Sequence, residues 1–261
     1  MDYADHIDAI EREGAALVAA IGACAPEAGV PSCPDWTVRD LAEHVAGSTG
    51  FWVDVVCDGT DQPKTGGEPH GEDGDLAALV AGRLDDLVGR LRSAPPDTAV
   101  WSWLEGQGST AFVARRWANE MAIHRIDAQL AAGTPEPIDG DLAVDAVEEV
   151  FLMANAYQQM KAERAAAAGA NGDAPPEAPS APTSLHLHAH DRAAQGDGEW
   201  LVSLGPDGIT VSREHAKAAC AVQAAASDIA LTLYQRPTLG EVTTFGDVEA
   251  LDSWYRAFTF G

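Results

Sequence analysis

Positive charge is scarce in this 261-residue chain, where 16 Lys and Arg stand against 41 Asp and Glu for a formal net charge of −25. The lysines are Lys64, Lys161 and Lys217. A surface this acidic repels phosphate backbones and anionic membranes, which excludes nucleic acid and membrane surfaces as expected partners. Long apolar runs are also missing. The stretch from Ala15 to Ala25 is too short for a bilayer and follows Glu11 and Glu13. The first residues, Met1 to His6, carry acid where a secretory signal carries base, so the expected location is cytoplasmic. Cysteine is sparse: Cys24, Cys33, Cys57 and Cys220 form no CxxC pair and no dense framework, as expected of reduced thiols. With 46% hydrophobic and 22% charged residues, global disorder is excluded as well.

Helical periodicity dominates the first two thirds. Ile7, Ile10, Leu17, Val18 and Ile21 predict a helix over 4–23. Pro and Cys residues over 25–34 interrupt it. Thr37 then provides an N-cap with Asp40 three residues on, a capping-box variant, ahead of a helix reaching about Cys57. A loop over 58–74 precedes a helix over 75–93, which stops before Pro95-Pro96. Helices over 109–132, ended by Gly133, and over 141–168 follow. The stretch 165–182 is mostly Ala, Gly and Pro and reads as a flexible linker. Beyond it the period changes to two. Leu185, Leu187 and Ala189 alternate with His186, His188 and His190, and Trp200–Leu204 and Ile209–Val211 read as strands joined by a turn, before helical spacing returns at 224–234. The expected class is α+β, mostly α: a helical bundle with one extra helix over 1–164, the linker, and a smaller α+β domain over 183–261.

Polar residues interrupt two inward helical stripes. Glu120 and His124, four apart, share a stripe with Val113, Trp117, Met121 and Ala128, and His44 falls between Leu41 and Ser48 on the second helix. A carboxylate on an inward face is costly unless it is paired or bound to a cation. Two His and a Glu from facing helices make a three-ligand set of the kind a catalytic zinc site uses. The competing reading is a hydrogen-bonded polar pair beside a satisfied core His. His186, His188 and His190, on one side of a strand, read either as a second metal-binding set or as a solvated face. Trp52, Trp101, Trp103 and Trp117 read as core or as pocket wall, and Arg116 and Arg125 as salt-bridge partners.

The flanks of these residues are specific. Cys33-Pro34-Asp35-Trp36-Thr37-Val38-Arg39-Asp40-Leu41-Ala42-Glu43-His44 and Ala114-Arg115-Arg116-Trp117-Ala118-Asn119-Glu120-Met121-Ala122-Ile123-His124-Arg125-Ile126-Asp127-Ala128 resemble two signatures of the mycothiol-dependent maleylpyruvate isomerase family. This family belongs to the DinB-like four-helix-bundle superfamily. Leu233-Tyr234-Gln235-Arg236 resembles part of its smaller C-terminal domain. The resemblance implies a divalent metal, usually zinc, on His44, Glu120 and His124, and a C-terminal Arg, here Arg236, reaching the cleft to meet a carboxylate. Relatives often carry His where this chain has Asn119, a departure expected to fall off the ligand face.

The implied activity is that of a mycothiol-dependent isomerase or thiol S-transferase. Metal binding lowers the pKa of a low-molecular-weight thiol, mycothiol or a related one, for attack on a small electrophile. Two other readings stand beside it: a zinc-dependent hydrolase or lyase using bound water, and a non-catalytic metal-binding module. The oligomeric expectation is a monomer or homodimer.

Overall fold

The computed structural model describes residues 1–61, 75–104, 106–168, 182–205 and 208–258, which divide into two compact units, Met1–Glu136 and Pro137–Gly261. The first holds helices α1 (Tyr3–Gly22), α2 (Val38–Asp58), α3 (Leu76–Ser93) and α4 (Thr110–Ala132), with a short antiparallel pair, β1 (Gly29–Val30) and β2 (Cys33–Thr37), ahead of α2. The second holds α5 (Gly140–Ala168), β3 (Thr183–Ala189), β4 (Glu199–Gly205), β5 (Gly208–Ser212), β6 (Cys220–Ala224), α6 (Ala226–Leu233), β7 (Thr243–Gly246) and α7 (Glu249–Ala257).

The sequence specifies the helix ends of the first unit closely. Asp2 caps α1 and Thr37 caps α2, each in a capping box with the acid three residues on; Asp75 and Ser109 cap α3 and α4. Gly133, with φ of 73°, closes α4 in the left-handed conformation that glycine adopts without strain. Helix α1 packs on α3 and α4, and α2 packs on the same two, giving a four-helix bundle. Ile10, Leu17, Leu41, Leu87, Leu91, Met121 and Ile126 are fully buried in this unit. Gly14 permits the close approach of α1 to α3, since a Cβ there would lie 2.7 Å from Leu84 Cδ1.

The fifth helix belongs to the second unit. The division falls between Glu136 and Pro137, ahead of α5, whereas the sequence suggests a boundary at 165–182; residues 169–181 of that stretch lie outside the described ones. Periodicity reveals that a helix has a buried face but not what covers it. Here α5 packs on α6 and β5, and its Asn155 both donates to the Ile209 carbonyl (3.0 Å) and accepts from the Ile209 amide (2.8 Å). The sheet runs β5-β4-β3-β6-β7, antiparallel throughout except for the parallel β3–β6 pair. In register, Leu185 faces Val202 and Leu187 faces Trp200, all fully buried. Strands β6 and β7 and helix α7 have no sequence-level counterpart above. Part of the turn expected between the paired strands, residues 206–207, lies outside the described residues, as do 62–74 of the earlier loop. All four cysteines are free, and among the described residues no helix is long and apolar enough to cross a membrane.

One buried ion pair fastens α1 to α4. Arg125 donates through Nε to Glu13 Oε2 (2.6 Å) and through Nη1 to Gln129 Oε1 and the Glu136 carbonyl (both 2.7 Å), while Arg12 also reaches Glu13 (3.1 Å). Both Glu13 and Arg125 are buried. Replacing Arg125 with Met leaves the buried Glu13 carboxylate with Arg12 alone, and the expected cost is about 3 kcal/mol of unfolding free energy in a urea titration. A loss below about 1 kcal/mol, the range of an exposed pair, would contradict it.

Candidate metal centre

Helices α2 and α4 bring His44, Glu120 and His124 together. One donor atom from each lies within 4.8 Å of the others. The sequence placed the three on inward stripes, and the structure explains how their positions are held. Trp117, one turn before Glu120, donates through its indole nitrogen to Thr49 Oγ1 on α2 (3.2 Å), which in turn donates to the Val45 carbonyl (2.6 Å). This registers the two helices one turn from the ligands. The His44 and His124 rings meet edge-on at 5.1 Å, and Trp36 of β2 stands 4.9 Å from the His44 ring.

Asp127 sets the chemistry of His124. Its carboxylate is fully buried, takes the Ser32 hydroxyl on Oδ1 (2.6 Å) and lies 3.1 Å from His124 Nδ1 through Oδ2. An acceptor at Nδ1 places an imidazole proton on that nitrogen, and the other nitrogen, Nε2, faces Glu120 Oε2 at 3.3 Å. A proton or a cation between these two atoms satisfies both. A divalent cation held by both, with His44 as the third donor, fits the donor types. Sequence reading gave Asp127 no role; its signal was an acid three residues after a candidate ligand.

His44 is half-buried, and burial, reinforced by the neighbouring His124, pushes its pKa from 6.5 down to about 4, with Asp127 opposing. The ring is therefore neutral and able to ligate at physiological pH. Arg116 pairs with Glu120 one turn away, and Arg125 sits in the α1–α4 network, so both are salt-bridge partners as expected.

His44 and Glu120 line a cleft of about 750 Å³ whose walls include Phe51, Trp52, Trp103 and Trp117, with Arg116 and Glu43 among its polar lining, and His124 is buried behind them. Trp101 stacks edge-on against Phe51 at 5.9 Å. Asn119 is buried and is not part of that lining. Arg236 lies in the second unit, buried, with Nη1 donating to the Tyr234 carbonyl (3.1 Å). The structure places His186 and His188 on one face of β3, whereas His190 is exposed and leaves the strand for a 3-10 turn.

Two outcomes follow. Asp127→Asn is expected to weaken zinc binding about 10–100-fold in competition with a chromogenic chelator while leaving the far-UV spectrum unchanged; unaltered affinity would remove Asp127 from the site. His44 also makes the metal-free protein acid-labile. Its folded pKa lies below its unfolded value, so stability is intact above pH 6.5 and declines as pH falls toward 4, where the unfolded chain takes a proton that the folded one refuses. His44→Asn should flatten that slope in urea midpoints measured across the window, and an unchanged slope would contradict the assignment.

Residues 7–129 match the family model described as the mycothiol maleylpyruvate isomerase N-terminal domain. No curated protein sequence matches the chain. Among solved structures, a crystal structure of the mycothiol-dependent maleylpyruvate isomerase is similar with a TM-score of 0.57 at 13% identity, over 94% of this chain and 93% of that one. A histidine-to-alanine mutant of such an isomerase gives 0.58 at 12% identity over the same shares. Residues 7–129 thus match the N-terminal domain of the mycothiol maleylpyruvate isomerase family, and the chain shares the isomerase fold over 94% of its length.

Proposed function

We propose that the chain is a metal- and thiol-dependent enzyme that uses a low-molecular-weight thiol, mycothiol or a close analogue, to attack a small carboxylate-bearing electrophile. The observation that carries this reading is the His44, Glu120, His124 set, which meets an aromatic-walled cleft through His44 and Glu120. The family of the N-terminal domain supports the choice of thiol.

A divalent ion on these three residues, zinc being the expected one, supplies Lewis acidity that favours the deprotonated thiol at neutral pH. The protein's own residues do the rest. Asp127 keeps the His124 proton on Nδ1, so that Nε2 is presented as a donor atom. Neutral His44 adds a ligand without adding charge. The walls of Phe51, Trp52, Trp103 and Trp117 offer apolar surface against which an unsaturated substrate is held with little water. Arg116, beside Glu120 in the cleft, supplies positive charge next to the carboxylate, and Arg236 is the proposed partner of the substrate carboxylate, a task suited to a guanidinium fork.

The proposed reaction is isomerisation. The thiol sulfur adds to one carbon of a cis double bond conjugated with a carbonyl, and the electron pair moves to the carbonyl oxygen. The new single bond rotates, the pair returns, and the sulfur is expelled, giving the trans isomer and the free thiol. Where a leaving group departs in place of sulfur, the product is a thioether and the enzyme is an S-transferase.

The test is calorimetric titration of the zinc-loaded protein with mycothiol, followed by turnover of maleylpyruvate with and without thiol. Binding that is lost in His124→Ala, with turnover strictly dependent on thiol, is the expected result. In the same assay Arg236→Gln should raise the electrophile's KM about tenfold without changing thiol affinity. Turnover without thiol would instead indicate a hydrolase or lyase, and neither thiol binding nor turnover would make the chain a non-catalytic metal-binding module.

A further inference from the structure

The second unit carries another convergence of imidazoles, independent of the α2–α4 site. His186 and His188 lie on the sheet face opposite the Leu185, Leu187, Trp200 and Val202 core, and Glu199 of β4 is the direct cross-strand partner of His188 on that face. His215 comes from the connection between β5 and β6. All three rings meet the one carboxylate. His186 Nε2 is 2.5 Å from Glu199 Oε2, and His188 Nδ1 and His215 Nδ1 are 2.5 Å and 3.1 Å from Oε1. The ring centroids are 4.8 Å to 6.2 Å apart. One ligand atom each from His186, Glu199 and His215 lies within 4.8 Å of the others, with His188 beside them.

This is not a solvated strand face. The His186 side chain is only 8% exposed, those of His188 and Glu199 28% each, and the four residues come from three separate chain segments. The connection bearing His215 is itself anchored two residues earlier. Arg213 stacks over the Trp200 ring at 5.0 Å and pairs with Glu148 of α5. His215 is thus delivered to the sheet by fixed neighbours, though its own side chain is 76% exposed.

We propose that His186, His188, His215 and Glu199 form a second metal site, which binds zinc or a similar first-row divalent ion and pins the β5–β6 connection to the sheet. Three imidazoles and one carboxylate make a complete four-ligand set for tetrahedral zinc, the pattern of a structural site with no position left for substrate. Imidazole also suits nickel and copper, whereas magnesium and calcium require mainly oxygen donors. Loading needs each ring to turn a lone pair toward the centre in place of an N–H, which is a tautomer exchange.

The test uses the full-length chain without a polyhistidine tag, in a His124→Ala background that disables the α2–α4 site. Titration with zinc and with cobalt(II) should show one equivalent bound, a visible cobalt d–d spectrum and a zinc-dependent rise in Tm. Adding His215→Ala should weaken binding by more than about tenfold and abolish the Tm rise. Because His215 is exposed, its removal should leave the fold intact, as checked by the far-UV spectrum. In the unsubstituted chain the same change should lower the bound metal by one equivalent, whether or not the α2–α4 site also loads. Zinc stoichiometry and affinity unaffected by both His215→Ala and His186→Gln, or no zinc bound to the His124→Ala protein, would overturn the site and leave the cluster as a hydrogen-bonded group around Glu199.

Discussion

The hydrogen bond between His124 and buried Asp127 is the constraint on which the functional reading of this chain depends. It fixes a tautomer and so decides what the other ring nitrogen offers to Glu120 and His44. With the proton on Nδ1, the inner face of α2 and α4 presents three electron-pair donors in one place. Without that bond, the same residues would make a hydrogen-bonded pair and a packed imidazole, the bland alternative that spacing alone leaves open. The Ser32 hydroxyl completes the arrangement by occupying Asp127's other oxygen from the β1–β2 connection. A short strand pair with little apolar content thereby serves the site across the bundle.

Two polar networks lie inside the helical unit, and they solve the burial problem differently. Glu13 and Arg125 neutralise one another, and Gln129 and the Glu136 carbonyl take up further guanidinium N–H groups. That network is complete within the protein and fastens α1 to α4. The His44, Glu120, His124 set contains one carboxylate and two imidazoles, and Arg116 reaches Glu120 from the cleft side. Its donor atoms lie within 4.8 Å of one another, close enough to share a cation. Burial lowers the His44 pKa in the same direction that ligation requires, so the protein environment and the metal favour the same protonation state.

Much of this was legible in the sequence because its signals are local. Thr37 and Asp40 marked the start of α2, Gly133 marked the end of α4, and four-residue spacing put Glu120 and His124 on one face. What escaped was long-range. Helix α5 shows its buried face in its own periodicity, but only tertiary structure reveals that α6 and β5 cover it. Strand β6 is Cys-Ala-Val-Gln-Ala, whose small residues give little alternation of large apolar and polar side chains, and β7 is only four residues long. His190 looked like the third member of a histidine row; a 3-10 turn removes it, and Glu199 and His215, 13 and 29 residues away from His186, join the cluster instead. Asp127 lay in plain view beside the ligand motif, yet its role depends on the position of Ser32, 95 residues earlier.

The match of residues 7–129 to the mycothiol maleylpyruvate isomerase N-terminal domain supports the proposal of thiol activation, and the solved isomerase structures share the fold. The central claim is that the three donors hold a metal whose coordination a thiol can enter. X-ray absorption at the zinc edge tests this most directly, using full-length His215→Ala protein so that signal comes from the α2–α4 site. The account predicts a nitrogen and oxygen shell with two imidazoles in the absence of thiol, and a sulfur neighbour once mycothiol is added. A shell that stays free of sulfur at saturating thiol, or a protein that retains no zinc, would contradict it.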